Sequence, residues 1–348
     1  MRIFLFLFSF FLLTTTCAQE IEVDPKYAKT AQKLDTKKVL QTIAFGSCND
    51  QSKSQDMWKY VVKNKPQLWM WLGDNIYADT ENMHTMAKKY TEQKNHLDYR
   101  RLLACCPVVG TWDDHDYGAN DAGKEFPKKK ESKRLMLDFL DVPKDAAVRK
   151  REGAYQSYTF GEEGKKIKVI LLDARYFRDQ LDKSLVKGIR YVKNNDGAIL
   201  GEAQWQWLEK ELTNSDAQIH LIASGIQIIP EEHGYEKWAN FPQERQRLFD
   251  LLKKTNPTKP ILLTGDRHIA EISKIDLGLD TPLYEVTASG LTHSWSTRSE
   301  EPNQYRVGKM VIEKNFAVMK IDWMGATPDV LVEVRGLGNE LFLKENLK

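Results

Sequence analysis

The run "LWMWLGD" (residues 68–74) sets five apolar residues in a row and then stops on Gly-Asp. A short unbroken apolar run closed by a turn signal suits a strand buried on both faces, not one with a wet side. Five more runs repeat the pattern: "TIAFGSC" (42–48), "PVVGTWDD" (107–114), "IKVILLDAR" (167–175), "IHLIASG" (219–225) and "PILLTGDRH" (260–268). Longer amphipathic segments lie between them. "GEAQWQWLEKEL" places Ala203, Trp207 and Leu208 on one helical face, and "FPQERQRLFDLLKK" does the same with Leu248, Leu251 and Leu252. Strands alternating with helices predict an α/β layered fold. Near the C-terminus, "FAVMKIDW" and "DVLVEVRG" alternate apolar and polar residues around "MGATP". That pattern predicts a closing antiparallel hairpin at a sheet edge.

With 348 residues, 41% of them hydrophobic, and with neither internal repeats nor an interdomain linker, the chain is read as one domain with a full core. Its 51 basic and 49 acidic residues nearly balance, which gives no sign of a nucleic-acid-binding module. The opening "MRIFLFLFSFFLLTTTCAQE" has Arg2, an eleven-residue run (3–13) that is apolar but for Ser9, and then small residues, the pattern of an export signal. Eleven residues are too few to span a bilayer, so no transmembrane segment is expected once the signal is removed. Cleavage after Ala18 makes residues 1–18 a signal peptide, 19–38 a charged lead-in, and 39–348 the functional domain. An exported, released protein is the favoured reading. A lipid anchor on Cys17 is the alternative, with Thr16 atypical before such a cysteine. Without Cys17 three cysteines remain, an odd number for an exported chain. Cys105 and Cys106 are neighbours that rarely bridge, and buried packing is their default; Cys48 stands apart.

In layered α/β proteins, ligands gather at the carboxyl ends of strands. Four of the six runs end there in groups able to bind metal: Cys48; Asp74; Asp114 with His115; and Asp266 with His268. Singly, these are a turn, a cap or a buried thiol. Four coincidences of the same polarity point to a metal site. Carboxylates suit hard cations such as Ca²⁺, Mg²⁺ or Mn²⁺, whereas a thiolate and an imidazole suit iron or zinc. The mixed set predicts two unlike metals sharing a bridge, able to hold a phosphoryl group and acidify a water. The acids crowded into "GTWDDHDYGAND" (110–121) then have a cation to balance them.

Taken in order, "FGSC" (45–48), "GDNIY" (73–77), "WDDHD" (112–116) and "TGDRH" (264–268) resemble the PhoD-like alkaline phosphatase/phosphodiesterase family. That family lies within the calcineurin-like metallophosphoesterase superfamily, and the likeness runs over about residues 43–290. "LLDARYFR", "GEAQWQWLEKEL" and "YEVTASGLTHS" fit the same family. The resemblance implies a two-sheet α/β/β/α metallophosphoesterase sandwich. It also implies an exported hydrolase of phosphomonoesters or phosphodiesters that uses hydroxide generated at a two-metal site, without a phosphoenzyme. Asp74 would bridge the metals, with Cys48 and Tyr77 on iron and His268 on the iron side. Asp114 and Asp266 would bind the second metal. They stand where the superfamily keeps Asn and His, and two added carboxylates favour a hard cation. The implied pair is Fe³⁺ and Ca²⁺, with Zn²⁺, Mn²⁺ or Mg²⁺ as alternatives from ligand chemistry.

His115 occupies the position of the superfamily's catalytic histidine, to protonate a leaving alkoxide or stabilise phosphoryl charge; Asp116 would orient it. Asp113 is read as a cap or outer partner. The superfamily's further metal-binding histidine is missing. His220 starts its strand at the wrong end, Ser224 and Gln227 lie nearer, and His233 follows in the loop, so none is assigned. Asn49, Asn120, Arg175 and Arg267 are candidates to hold substrate oxygens, with a structural ion pair the equal alternative for Arg175. His293 and Trp295 are read as rim residues, with packing the default for Trp295.

The expected substrate is a small-molecule phosphate ester, a nucleotide or a phospholipid, and the expected state is a monomer. The alternatives are a phospholipase C-like or nucleotide phosphodiesterase with the same site, and a calcium-stabilised binding protein. The last would be marked by loss of His115 or Asp74, and both are present. A dinucleotide-dependent oxidoreductase ranks low, because "AFGSCND" carries no G-x-G-x-x-G.

Overall fold

Every apolar run forms a strand. The computed structural model describes residues 30–297 and 300–348; the signal segment and the first part of the lead-in lie outside them. Its strands are β1 (Thr42–Gly46), β2 (Leu68–Leu72), β3 (Val108–Thr111), β4 (Gln156–Phe160), β5 (Ile167–Leu171), β6 (Ile219–Ser224) and β7 (Pro260–Thr264). There follow β8 (Ala270–Ile275), β9 (Leu283–Ala288), β10 (Arg306–Val311), β11 (Phe316–Asp322), β12 (Asp329–Arg335) and β13 (Leu341–Asn346). The helices are α1 (Met57–Lys63), α2 (Met83–Asn95), α3 (Leu97–Cys105), α4 (Asp114–Tyr117), α5 (Lys129–Phe139), α6 (Ala147–Lys150), α7 (Glu202–Thr213) and α8 (Pro242–Thr255).

The strands make two sheets, ordered β13-β12-β11-β1-β2-β3 and β10-β8-β9-β7-β6-β5-β4. β1, β2 and β3 run parallel, as do β5, β6, β7 and β9. Successive side chains of a strand face opposite ways, and β2 shows why its run is unbroken. Leu68, Met70 and Leu72 enter the core between the sheets, whereas Trp69 and Trp71 enter the core beneath the helices. There Trp58, Trp69 and Trp71 pack edge to face, with centroids 4.9–5.5 Å apart. β6 and β7 divide likewise: Leu221, Ala223, Ile261 and Leu263 face the first sheet, and Ile222 and Leu262 face α7 and α8. The result is the α/β/β/α sandwich.

Several local expectations shift. α7 buries Gln204, Trp205, Leu208 and Leu212, leaving Ala203 exposed and Trp207 half-buried. A polar residue leads that face because the Gln204 amide accepts from Asp173 N and donates to the Asp173 and Leu200 carbonyls. α8 buries Glu244, Leu248, Phe249 and Leu252, with Leu251 only half-buried. The Glu244 carboxylate there receives Ile199 N and Trp205 Nε1 at 2.7 and 3.0 Å. The C-terminal hairpin forms as β11–β12, but not at an edge. β11 also pairs with β1, and β13, whose side chains are exposed or half-buried, takes the edge.

The two sheets meet at their carboxyl ends. Gly265, just after β7, lies so close to the first sheet that a Cβ would fall 2.4 Å from the Leu72 carbonyl oxygen and 2.6 Å from Ser47 Oγ. Backbone cannot yield there, so Gly265→Ala is expected to cost about 2 kcal/mol of stability and to loosen cation binding at the adjacent strand ends. Chemical denaturation and calorimetric titration of the variant check both.

Candidate metal centre and cleft

Turns at the ends of β1, β2, β3 and β7 carry the chemistry. Cys48 (φ 58°), Asp74 (49°), Asp266 (68°) and His268 (54°) all hold the left-handed conformation. For residues with a Cβ this costs on the order of 1 kcal/mol each and persists only where the surroundings impose it. Gly73 (φ +97°) serves the same turn, where a Cβ would strike Asp113 Cβ at 2.4 Å.

The donors converge. Ligand atoms of Cys48, Asp74 and His268 lie within 4.8 Å of one another, and so do those of Asp74, Asp113, Asp114 and Asp266. Asp74 belongs to both groups. Cys48 Sγ is 3.4 Å from Asp74 Oδ2; Tyr77 Oη donates to that oxygen at 3.2 Å and lies 3.3 Å from His268 Nε2. Burial, and then neighbouring carboxylates, push Asp74 well above the usual carboxylate range, against the favourable charge of His115. Burial and Asp114 lift Asp266 to about 7. Burial, Asp74 and Asp266 likewise raise the Cys48 thiol. So many buried acids call for more positive charge than nearby basic side chains supply, and the donors fit cations on both sides of Asp74. Thiol, phenol and imidazole suit a trivalent or borderline ion on one side, and carboxylates a hard one on the other.

His115 lies beside this cluster, its ring stacked on Tyr77 with centroids 4.1 Å apart. Its Nδ1 is 2.8 and 2.9 Å from the two oxygens of Asp79. Asp79, not Asp116, therefore orients the ring. Asp116 points inward, accepting Asp113 N at 2.7 Å, Asp74 N at 3.2 Å and Asn75 Nδ2 at 2.5 Å, and so ties the ends of β2 and β3 together. Neighbours at the start of a helix point in different directions, which the bare sequence order hides.

Two expected substrate contacts lie elsewhere. Arg175 is fully buried; its guanidinium holds Asp113 at 2.6 Å and Glu236 at 2.7 Å, so it answers the Asp113 charge and cannot reach a substrate. Asn49 is also fully buried, donating to the Asn75 carbonyl and to Gln93. Asn120 and Arg267 do line a cleft of about 370 Å³, beside Asp114, His115, Asp266, His268, His293 and Trp295. Asp121, Arg190, Tyr235, Glu236 and Ser294 complete its lining and had no sequence signal, because each comes from a loop. Asp79 did have one: it follows Tyr77 by two residues in "GDNIYAD". His220 is spent on the Thr258 carbonyl and Ser215. Ser224 receives Trp238 Nε1, and the Gln227 amide reaches Glu271 and Thr287. His220 joins no cluster of His, Cys, Asp and Glu donors among the described residues. Cys48, Cys105 and Cys106 are all free thiols.

A family model for PhoD-like phosphatases matches residues 43–326. The chain belongs to the PhoD-like phosphatase family. Alkaline phosphatase D of Bacillus subtilis (strain 168) is 27% identical over 287 residues, 69% of this chain and 48% of that protein. This PhoD-like chain thus spans about half the length of that curated relative. A solved structure of PhoD superposes with a TM-score of 0.68 at 16% identity, covering 92% of this chain and 73% of that one. A dimetal phosphatase from Danio rerio gives 0.58 at 12% identity, covering 89% and 99%. At these identities the solved structures establish a shared fold, that of the metallophosphoesterases.

A cation bound among buried acids stabilises the native state by about 4 kcal/mol at a thousandfold excess over Kd. Treatment with a chelator should therefore lower the thermal midpoint by several degrees, and Ca²⁺ with iron should restore it. In Asp74→Asn the restored increment is expected to vanish; an undiminished one would place the metal elsewhere.

Proposed function

We propose that this PhoD-like protein is an exported, metal-dependent hydrolase of phosphomonoesters or phosphodiesters. In this reading residues 1–18 are the export signal, 19–38 a lead-in, and 39–348 the catalytic domain. The observation that carries it is the position of Asp74, shared between two unlike donor sets whose His268, Asp114 and Asp266 line the same cleft as His115. Cys48, Tyr77 and His268 would hold Fe³⁺ together with Asp74, and Asp114 and Asp266 would hold Ca²⁺ on its other side. Such ions, when bound, polarise phosphoryl oxygens and acidify a water.

The remaining work falls to the chain's own side chains. Burial disfavours charge on His115, but Asp114, Asp74 and the bond to Asp79 outweigh it and raise its pKa to about 11. With Nδ1 tied to Asp79, the protonated ring can give a proton to a leaving alkoxide. Burial, with Lys53 nearby, lowers His293 to about 4, which leaves it a neutral hydrogen-bonding group on the rim. Arg267, held by Glu301 at 2.5 Å, and Asn120 line the cleft and would contact substrate oxygens.

The test is hydrolysis of p-nitrophenyl phosphate and bis-p-nitrophenyl phosphate by protein supplied with iron and calcium. His115→Ala is expected to lose about 10²–10⁴-fold in rate, and Asp74→Asn to lose activity together with metal; turnover indifferent to Asp74 would sink the reading. Asp79 raises the His115 pKa, and the acid must be protonated to act. Asp79→Asn should therefore move the alkaline limb of the kcat/KM profile to lower pH, a shift that a purely structural role for Asp79 would not produce.

A further inference from the structure

Residues 181–193, "LDKSLVKGIRYVK", form a narrow hairpin whose tip backbone, at Gly188 and Ile189, lies against Gly234. Lys183 and Tyr191 form an isolated antiparallel bridge. Ser184 N donates to the Arg190 carbonyl at 3.0 Å and Val192 N to the Asp182 carbonyl at 2.9 Å, while Ile189 N closes the tip onto Val186. The tip is apolar and wet: Leu185 is fully exposed, Val186 60% exposed and Ile189 47%, with Val192 at 41% on the stem. Single exposed aliphatic residues are ordinary, but four within eight consecutive residues form a patch that calls for a partner. Lys183, Lys187 and Lys193 are interleaved with them and exposed. Asp182 is the one acid between residues 181 and 193.

The stem of the hairpin is part of the cleft. Arg190 lines it, 3.0 Å from Asp121, and its amide donates to the Gly234 carbonyl at 2.8 Å. Tyr191 Oη donates to the same Asp121 carboxylate. Trp295, 41% exposed, lines the same cleft.

We propose that this hairpin docks the protein on an anionic phospholipid bilayer, so that phosphate esters carried by lipids reach the cleft beside it. Short aliphatic side chains flanked by lysines match the boundary between acyl chains and headgroups. The apolar tip enters the boundary, and the ammonium groups reach up to lipid phosphates. A second copy of the chain fits less well, because a two-fold contact through this tip would bring the same lysines face to face. The docking itself stands on the hairpin alone; the delivery of substrate rests on the function proposed above.

The experiment is co-sedimentation of the mature chain with vesicles of phosphatidylcholine alone or mixed with phosphatidylglycerol. Hydrolysis of soluble p-nitrophenyl phosphate is measured alongside. Wild type is expected to bind the mixed vesicles, with binding that weakens as salt rises. L185D/V186D should bind at least tenfold more weakly, with soluble-substrate turnover unchanged. K187E should lose the preference for anionic over neutral vesicles. No binding of wild type to anionic vesicles, or undiminished binding of L185D/V186D, overturns the proposal. So does a wild-type dimer that the double variant abolishes in the absence of vesicle binding, since a second copy would then cover the tip. Vesicle binding by a protein that hydrolyses no phosphate ester leaves the docking standing and rejects the function.

Discussion

Carboxylates taken out of water must be protonated, paired or bound to a cation. The structure gathers Asp74, Asp113, Asp114 and Asp266 into one buried group. Much of its layout answers that constraint. Asp113 is paired by Arg175, which is itself held by Glu236. His115 offsets Asp74 and Asp114, and burial notwithstanding, His115 and then Arg175 keep Asp114 below the ordinary carboxylate range. What remains is charge on Asp74 and Asp266, which form no salt bridge with a basic side chain among the described residues, and this is the part that a metal pair fits.

The fold supplies the crowding. Parallel strands place their carboxyl ends on one side of each sheet, and the two sheets bring those ends together where Gly265 touches Leu72 and Ser47. The left-handed turns at Cys48, Asp74, Asp266 and His268 then aim the donors across the gap. Strain of this kind is kept only where packing on all sides enforces it. Here the enforcement comes from the core between the sheets and from the buried Asp116 carboxylate, which ties the ends of β2 and β3.

Legibility in the sequence followed the range of the interactions. The buried strands were legible because burial on both faces leaves a continuous apolar run, as in β2. β13 was not, because none of its side chains is fully buried and its pairing to β12 is the tertiary contact that defines it. The buried faces of α7 and α8 were misjudged wherever a polar residue turned inward, as Gln204 and Glu244 do. A buried amide or carboxylate is acceptable once its hydrogen bonds are made, and their partners, Asp173 and Trp205 among them, are far away in sequence.

By itself the sequence determined the layered class, the polarity of the strands and the metal-binding types at their ends. Each of these depends on neighbours within about ten residues. Tertiary structure alone decided that Asp79 rather than Asp116 meets His115, and that Arg175 and Asn49 face inward. It also decided that Arg190 and Asp121 line the cleft. A side chain's direction at a turn, and the identity of its partner, are set by segments scores of residues away brought within a few ångströms by the packing of two sheets.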